Sequence, residues 1–196
     1  MDRRGFLATL VAATLPLARG LAAPGQDLEF LRAVERAQRS RPRTLRASTR
    51  IAPAAEPGIP MVIHGLVFQH GGQTPAADVV VFAYHTDATG RYDVPEAGAH
   101  SWRLRGWVKT GTDGRFELTT IRPAPYPSGR TAAHVHLMIA RPEGRWQSAG
   151  ITFEGDRLLT PTDLEASAAG GRFGSVRRAD VRDGVQHVRI ELQLED

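Results

Sequence analysis

The chain has 196 residues, a formal net charge of +4 and no cysteine. Its length suits one compact domain behind a leader. The missing cysteine excludes disulfides, thiolate metal sites, a Cys nucleophile and a lipoprotein anchor. The arginines are scattered, with no basic patch interleaved with aromatics, so nucleic acid is not an expected partner.

Residues 1–22 read as a cleavable export signal. Asp2-Arg3-Arg4-Gly5-Phe6-Leu7 is a twin-arginine pattern, followed by an apolar run over 8–17 and the small-residue stretch Gly20-Leu21-Ala22-Ala23. Pro24 favours cleavage after Ala22 over Ala23. The apolar run is too short to span a bilayer stably, so no membrane span is expected. The twin-arginine export machinery is then a partner, and the destination is the periplasm or the exterior. That route carries folded proteins, so a metal can be loaded before transport.

Residues 23–60 are expected to form a short helix and a wrap. Leu28, Leu31, Val34 and Ala37 share one face of a helix over 27–38, which Ser40 and Pro42 end. Residues 41–60, rich in Pro, Arg and Ala, read as a linker around the domain. Residues 61–196 then read as an all-β sandwich of short, mostly antiparallel strands. Strands are expected over 62–68 and 78–84, and over 107–110 and 115–121. The last two flank Gly111-Thr112-Asp113-Gly114, which predicts a hairpin with an Asp-Gly turn. The apolar segment 132–140 is a further strand, and its His134-Val135-His136 puts both imidazoles on one face. Residues 156–171 are polar and Ala-rich, expected as a loop with one helical turn. Val188, Ile190, Leu192 and Leu194 alternate with polar residues in a half-buried closing strand.

Several stretches act as a set: residues 79–92 (VVVFAYHTDATGRY), Gly106-Trp107, residues 112–123 (TDGRFELTTIRP), Ala124-Pro125-Tyr126-Pro127 and Ala133-His134-Val135-His136. In that order they resemble the intradiol ring-cleavage dioxygenases, the family of protocatechuate 3,4-dioxygenase and catechol 1,2-dioxygenase. The resemblance is good over roughly residues 60–156 and poor at both ends. It implies a single Fe(III) ion held by Tyr92, Tyr126, His134 and His136, with Tyr126 and His136 axial and Tyr92 and His134 equatorial. It further implies a catechol-type substrate, O2 as co-substrate, and ring opening between the two hydroxylated carbons to a muconate-type diacid.

The donor types agree with that metal. Imidazole suits many transition ions, whereas a phenolate is a hard anionic oxygen that favours a highly charged cation. Free tyrosine has a pKa near ~10, so only a strong Lewis acid holds two phenolates at neutral pH. A catechol that chelates as a dianion must shed two protons, and the resemblance makes Tyr126 the ligand that is released to take one. Where the family usually carries an arginine three residues before the first histidine, this chain has Thr131. Arg130, one residue further back, is assigned the charge-stabilising role, with Arg122 as competitor, although Arg122 also reads as closing the turn at 120–123. The resemblance also implies substrate contacts from Arg105, Gly106 and Trp107, with core packing the preferred reading of Trp107.

Two other functions fit parts of the same sequence. One is an exported metal- or ligand-binding sandwich without catalysis, favoured by the missing arginine; the other is a structural or carbohydrate-binding sandwich in which the four residues coincide by chance. His64, His85, His100 and His187 lie in no motif and are expected on the surface or in ordinary hydrogen bonds, and His70 in a turn. Substrate identity and oligomeric state, a homo-oligomer included, are left open by the sequence.

Overall fold

The computed structural model describes residue 39 and residues 41–92 and 103–196. The expected helix over 27–38, the signal over 1–22 and His100 therefore lie outside the described residues. Among the described residues ten strands form two sheets. They are β1 (Ser48–Arg50), β2 (Pro60–Phe68), β3 (Val80–His85), β4 (Arg105–Lys109), β5 (Arg115–Ile121), β6 (His134–Ala140), β7 (Gln147–Phe153), β8 (Val176–Arg177), β9 (Ala179–Arg182) and β10 (Val185–Gln193). One sheet runs β1-β5-β2-β10-β9 and the other β4-β3-β6-β7-β8. The expected sandwich is what forms. Most pairings are antiparallel, with β1–β5, β2–β10 and β7–β8 parallel.

Period-two alternation drives the core. Met61, Ile63 and Val67 of β2, Phe116 and Leu118 of β5, and Val188, Ile190 and Leu192 of β10 face Val81, Ala83, Val135, Leu137, Ile139, Ile151 and Phe153 of the other sheet. Each fully buried side chain of this size contributes roughly 1.5–3 kcal/mol. β3 is buried along its whole length. Its outward residues Val80, Phe82 and Tyr84 join Trp107 in a second apolar layer, against which Leu45, Tyr92, Met138 and Trp146 pack. The second sheet is thus covered on both faces, and the candidate site is built on its outer one.

Three expectations change. The runs over 107–110 and 115–121 do not make a hairpin, because β4 pairs with β3 and β5 pairs with β2 and β1. The Asp-Gly turn is present, with Gly111 N–H donating to the Arg115 carbonyl (3.0 Å) and Gly114 at φ +75°. Its tip, however, packs on β2, where Val67 N–H donates to the Gly114 carbonyl (2.9 Å), so the chain crosses from one sheet to the other. Residues 41–60 are more than a wrap, since β1 adds an edge strand. Residues 156–171 hold a nine-residue helix, α1 (Pro161–Ala169), rather than a single turn. Thr160 caps it by accepting from Asp163 N–H, the Asp163 carboxylate accepts from Thr160 N–H, and Pro161 opens the first turn. α1 buries no residue, so it has no apolar stripe to advertise it.

Candidate metal centre

β6 enters the second sheet with Val135, Leu137 and Ile139 in the core, which turns His134 and His136 to the outer face. His134 Nδ1–H donates to the Ala132 carbonyl (2.7 Å). A carbonyl can only accept, so this bond fixes the tautomer and leaves the Nε2 lone pair free to bind. Asp156 holds the start of the strand by accepting from Ala133 N–H (2.9 Å) and Leu158 N–H (2.9 Å). The His136 ring lies against Tyr84, centroids 4.5 Å apart and planes 13° apart, which restricts its rotation.

The two tyrosines come from loops that fold on one another. In the first, Asp87 accepts from the Thr89 and Arg91 amides and the Thr89 hydroxyl, and Gly90 turns back at φ +83°. A Cβ on Gly90 would collide with the Pro125 carbonyl oxygen, so the two loops approach closely only with glycine there. In the second, Ala124 N–H donates to the Asp87 carbonyl (3.0 Å) and the Thr86 hydroxyl to the Ala124 carbonyl (2.7 Å). Pro125 and Pro127 stiffen the backbone on either side of Tyr126. Beneath both loops His85 is fully buried, donating from Nδ1 to the Thr86 carbonyl (2.7 Å) and accepting at Nε2 from the Thr120 hydroxyl (2.6 Å). Thr120 belongs to the opposite sheet, so this imidazole ties the sheets together below the site.

The four side chains converge. Tyr92 Oη lies 2.6 Å from Tyr126 Oη, which is 3.0 Å from His134 Nε2 and 3.5 Å from His136 Nε2; the two Nε2 atoms are 2.9 Å apart. Burial raises the pKa of both phenols, that of Tyr92 further still beside Tyr126, and lowers both imidazoles, His136 additionally beside His134. The imidazoles are accordingly neutral and able to ligate at neutral pH, while the phenols keep their protons unless a strong Lewis acid displaces them. These contacts of 2.6–3.5 Å gather two imidazole nitrogens and two phenol oxygens, the donor types that a small, highly charged transition ion would take. Among the described residues no three His, Asp or Glu side chains are placed to hold a metal, and the group depends on its two phenols.

Other assignments distribute unevenly. Arg105 and Trp107 lie on the site face of β4, opposite Tyr84 and Phe82, whereas Gly106 pairs with Ala83 and faces inward against Thr49 and Ile51. Gly106 therefore offers no surface toward the donors, and Trp107 packs on Phe82 (centroids 4.3 Å apart) and Trp146. Arg130 is exposed on the loop between Tyr126 and β6 and is not drawn into the group. Arg122 is half-buried with its guanidinium 3.9 Å over the Phe153 ring, capping the end of the sandwich. Sequence reasoning missed Tyr84, His85 and Asp156. The first two stand within the motif-bearing run 79–92, and strand alternation places Tyr84 and His85 on opposite faces.

A family model described as "Dioxygenase" matches residues 42–194. Catechol 1,2-dioxygenase 1 of Acinetobacter lwoffii is 34% identical over 118 residues, 51% of this chain and 38% of that one. The 6-chlorohydroxyquinol 1,2-dioxygenase of Cupriavidus pinatubonensis is 33% identical over 118 residues, 52% and 42% of the two chains. Among solved structures, the dioxygenase domain of a dioxygenase carbohydrate-binding protein fusion from Streptomyces sp. SirexAA-E superposes with a TM-score of 0.60 at 22% identity, over 79% of this chain and 92% of that one. Catechol 1,2-dioxygenase from Acinetobacter sp. ADP1 superposes with a TM-score of 0.59 at 20% identity, over 85% and 68%. The chain belongs to the intradiol ring-cleavage dioxygenase family. Its matches span about two-fifths of the length of these two curated relatives.

Proposed function

We propose that the chain is an Fe(III)-dependent dioxygenase that opens a catechol-type ring between its two hydroxylated carbons, giving a muconate-type diacid. The convergence of Tyr92, Tyr126, His134 and His136 within hydrogen-bond distance of one another carries this reading. Bound there, ferric iron would supply the Lewis acidity that ionises the phenols and the redox partnership with catechol and O2 that the ring opening needs.

The chain's own residues provide placement and proton control. His134 and His136 present neutral lone pairs, one fixed by the Ala132 carbonyl and the other by the Tyr84 ring. Tyr126 Oη is the hub of the group, within 3.5 Å of the other three donor atoms. That position suits it to take a proton from an incoming catechol hydroxyl, as an internal general base. Arg105 and Trp107 offer polar and aromatic surface on the same sheet face. Arg130 is assigned to stabilise charge on the ring, a role that requires its loop to fold over a bound substrate, because an exposed guanidinium is well screened. Arg130→Ala should then slow turnover about tenfold with the iron colour intact, and unchanged kinetics would remove Arg130 from the mechanism.

A non-catalytic metal- or ligand-binding sandwich is the second reading, favoured by Thr131 where the family usually has arginine. Export through the twin-arginine route belongs to the same proposal, supported by Arg3-Arg4 and the run over 8–17. Among the described residues no helix is long and apolar enough to cross a membrane. Converting Arg3 and Arg4 to lysine should hold the protein in the cytoplasmic fraction, and undiminished export would reject that route. Two observations separate the functional readings: iron-loaded protein should show a tyrosinate-to-iron charge-transfer colour, and catechol added without O2 should shift it. Colour without a catechol response supports the non-catalytic reading.

A further inference from the structure

Thr152 stands directly across from His134 in the pairing of β6 with β7. Residues opposite one another in an antiparallel pair share a sheet face with Cβ atoms about 5 Å apart, so the Thr152 side chain is beside the donor group. It is 5% exposed, and its Oγ1 is buried without a hydrogen-bond partner among the described residues. The Thr152 amide is already committed to the Ser175 carbonyl (2.9 Å). Thr152 belongs to the outer face, because Ile151 and Phe153 on either side of it are in the core.

An unpaired buried hydroxyl is unfavourable, and valine would fill the same volume without that penalty. The next residue of β7 on this face is Gly150, opposite His136. The strip of β7 alongside the two histidines therefore carries a buried glycine followed by one buried polar atom with no partner among the described residues. Neither the ligands nor the loops use that atom.

We propose that Thr152 is a specificity-determining residue, whose hydroxyl hydrogen-bonds an oxygen substituent on a catechol ring bound beside His134. The site then prefers catechols bearing a further hydroxyl to catechol itself. This rests on the function proposed above. A hydroxyl both donates and accepts, so a phenolic substituent suits it, whereas chlorine or a methyl group would leave it unpaired.

The test uses iron-loaded protein titrated without O2, following the charge-transfer band with catechol, pyrogallol and hydroxyquinol. Wild type should bind at least one of the trihydroxy compounds about tenfold more tightly than catechol, the scale of one hydrogen bond gained. Thr152→Val should abolish that preference with catechol binding and iron content unchanged, and Thr152→Ser should keep it. The Tm of iron-loaded Thr152→Val before substrate is added should equal or exceed that of wild type. A Tm several degrees lower would show the hydroxyl already engaged and would overturn the inference. So would a preference surviving in Thr152→Val, or none in a wild type that binds and cleaves catechol. Coloured wild type that binds no catechol at all would instead overturn the functional reading, and this inference with it.

Discussion

Tyr92 and Tyr126 carry most of the chemical information in the site, because their burial opposes the ionisation that metal binding requires. An ion bound there would have to displace protons from phenols held above their ordinary range. Removing one donor leaves fewer than four: Tyr92→Phe or His134→Ala should lose most of the bound iron, measured by metal analysis and by loss of the charge-transfer band. Full iron and colour in either variant would refute the ligand assignment. His85 makes a separate prediction. Burial pushes its imidazole down to about 4, only partly offset by the bond to the Thr86 carbonyl. The unfolded chain, with a pKa near ~6.5, binds the extra proton between the two values, so stability is full above pH ~6.5 and falls as the pH drops toward 4. The span corresponds to roughly 3 kcal/mol, at about 1.4 kcal/mol per unit. His134 and His136, also lowered by burial, act in the same direction. Denaturant titrations of metal-free protein from pH 7 to pH 4 should show the decline, and a flat profile would contradict it.

The site is a matter of which face each strand presents and how two loops meet. Gly90 is the tightest point of that meeting. Gly90→Ala imposes a positive φ on a residue with a Cβ and drives that atom into the Pro125 carbonyl, so it should cost about 1–3 kcal/mol and reduce iron retention together with Tm. Wild-type iron content in that variant would mean that the loops tolerate separation. α1 provides a contrast: Thr160→Ala should lower stability by about 1 kcal/mol through its lost cap while leaving the colour unchanged.

At this scale the limits of the sequence are physical. The His-Val-His alternation declared its own faces, and the closing strand was legible from Val188 to Leu194 for the same reason. The Asp-Gly turn at 113–114 was visible, but nothing local distinguishes a turn whose strands pair from one whose strands part into two sheets. α1 escaped because a helix with no buried side chain has no apolar period, although its Thr160-Pro161-Thr162-Asp163 cap was there to be read. Gly106 was grouped with Arg105 and Trp107 by family resemblance, and strand alternation sends it to the other face.

Over the described residues, two stacked sheets supply rigidity, and one outer face carries the proposed site. β6 connects the two roles, with His134 and His136 on one side and Val135, Leu137 and Ile139 locked in the core on the other. The His85–Thr120 bond crosses between the sheets just below the tyrosine loops. A core truncation such as Leu137→Ala should therefore cost about 2–5 kcal/mol and loosen iron binding as well, without touching any donor. The proposed donor set stands in the sequence as a family pattern, whereas the packing around it depends on contacts distant in sequence. The most direct measurement is product analysis after incubating iron-loaded protein with catechols under O2. The expected product is a ring-opened diacid retaining both atoms of O2, cleaved between the hydroxylated carbons. Unreacted catechol in the presence of coloured, iron-replete protein, or a product opened outside the hydroxyl pair, would contradict it.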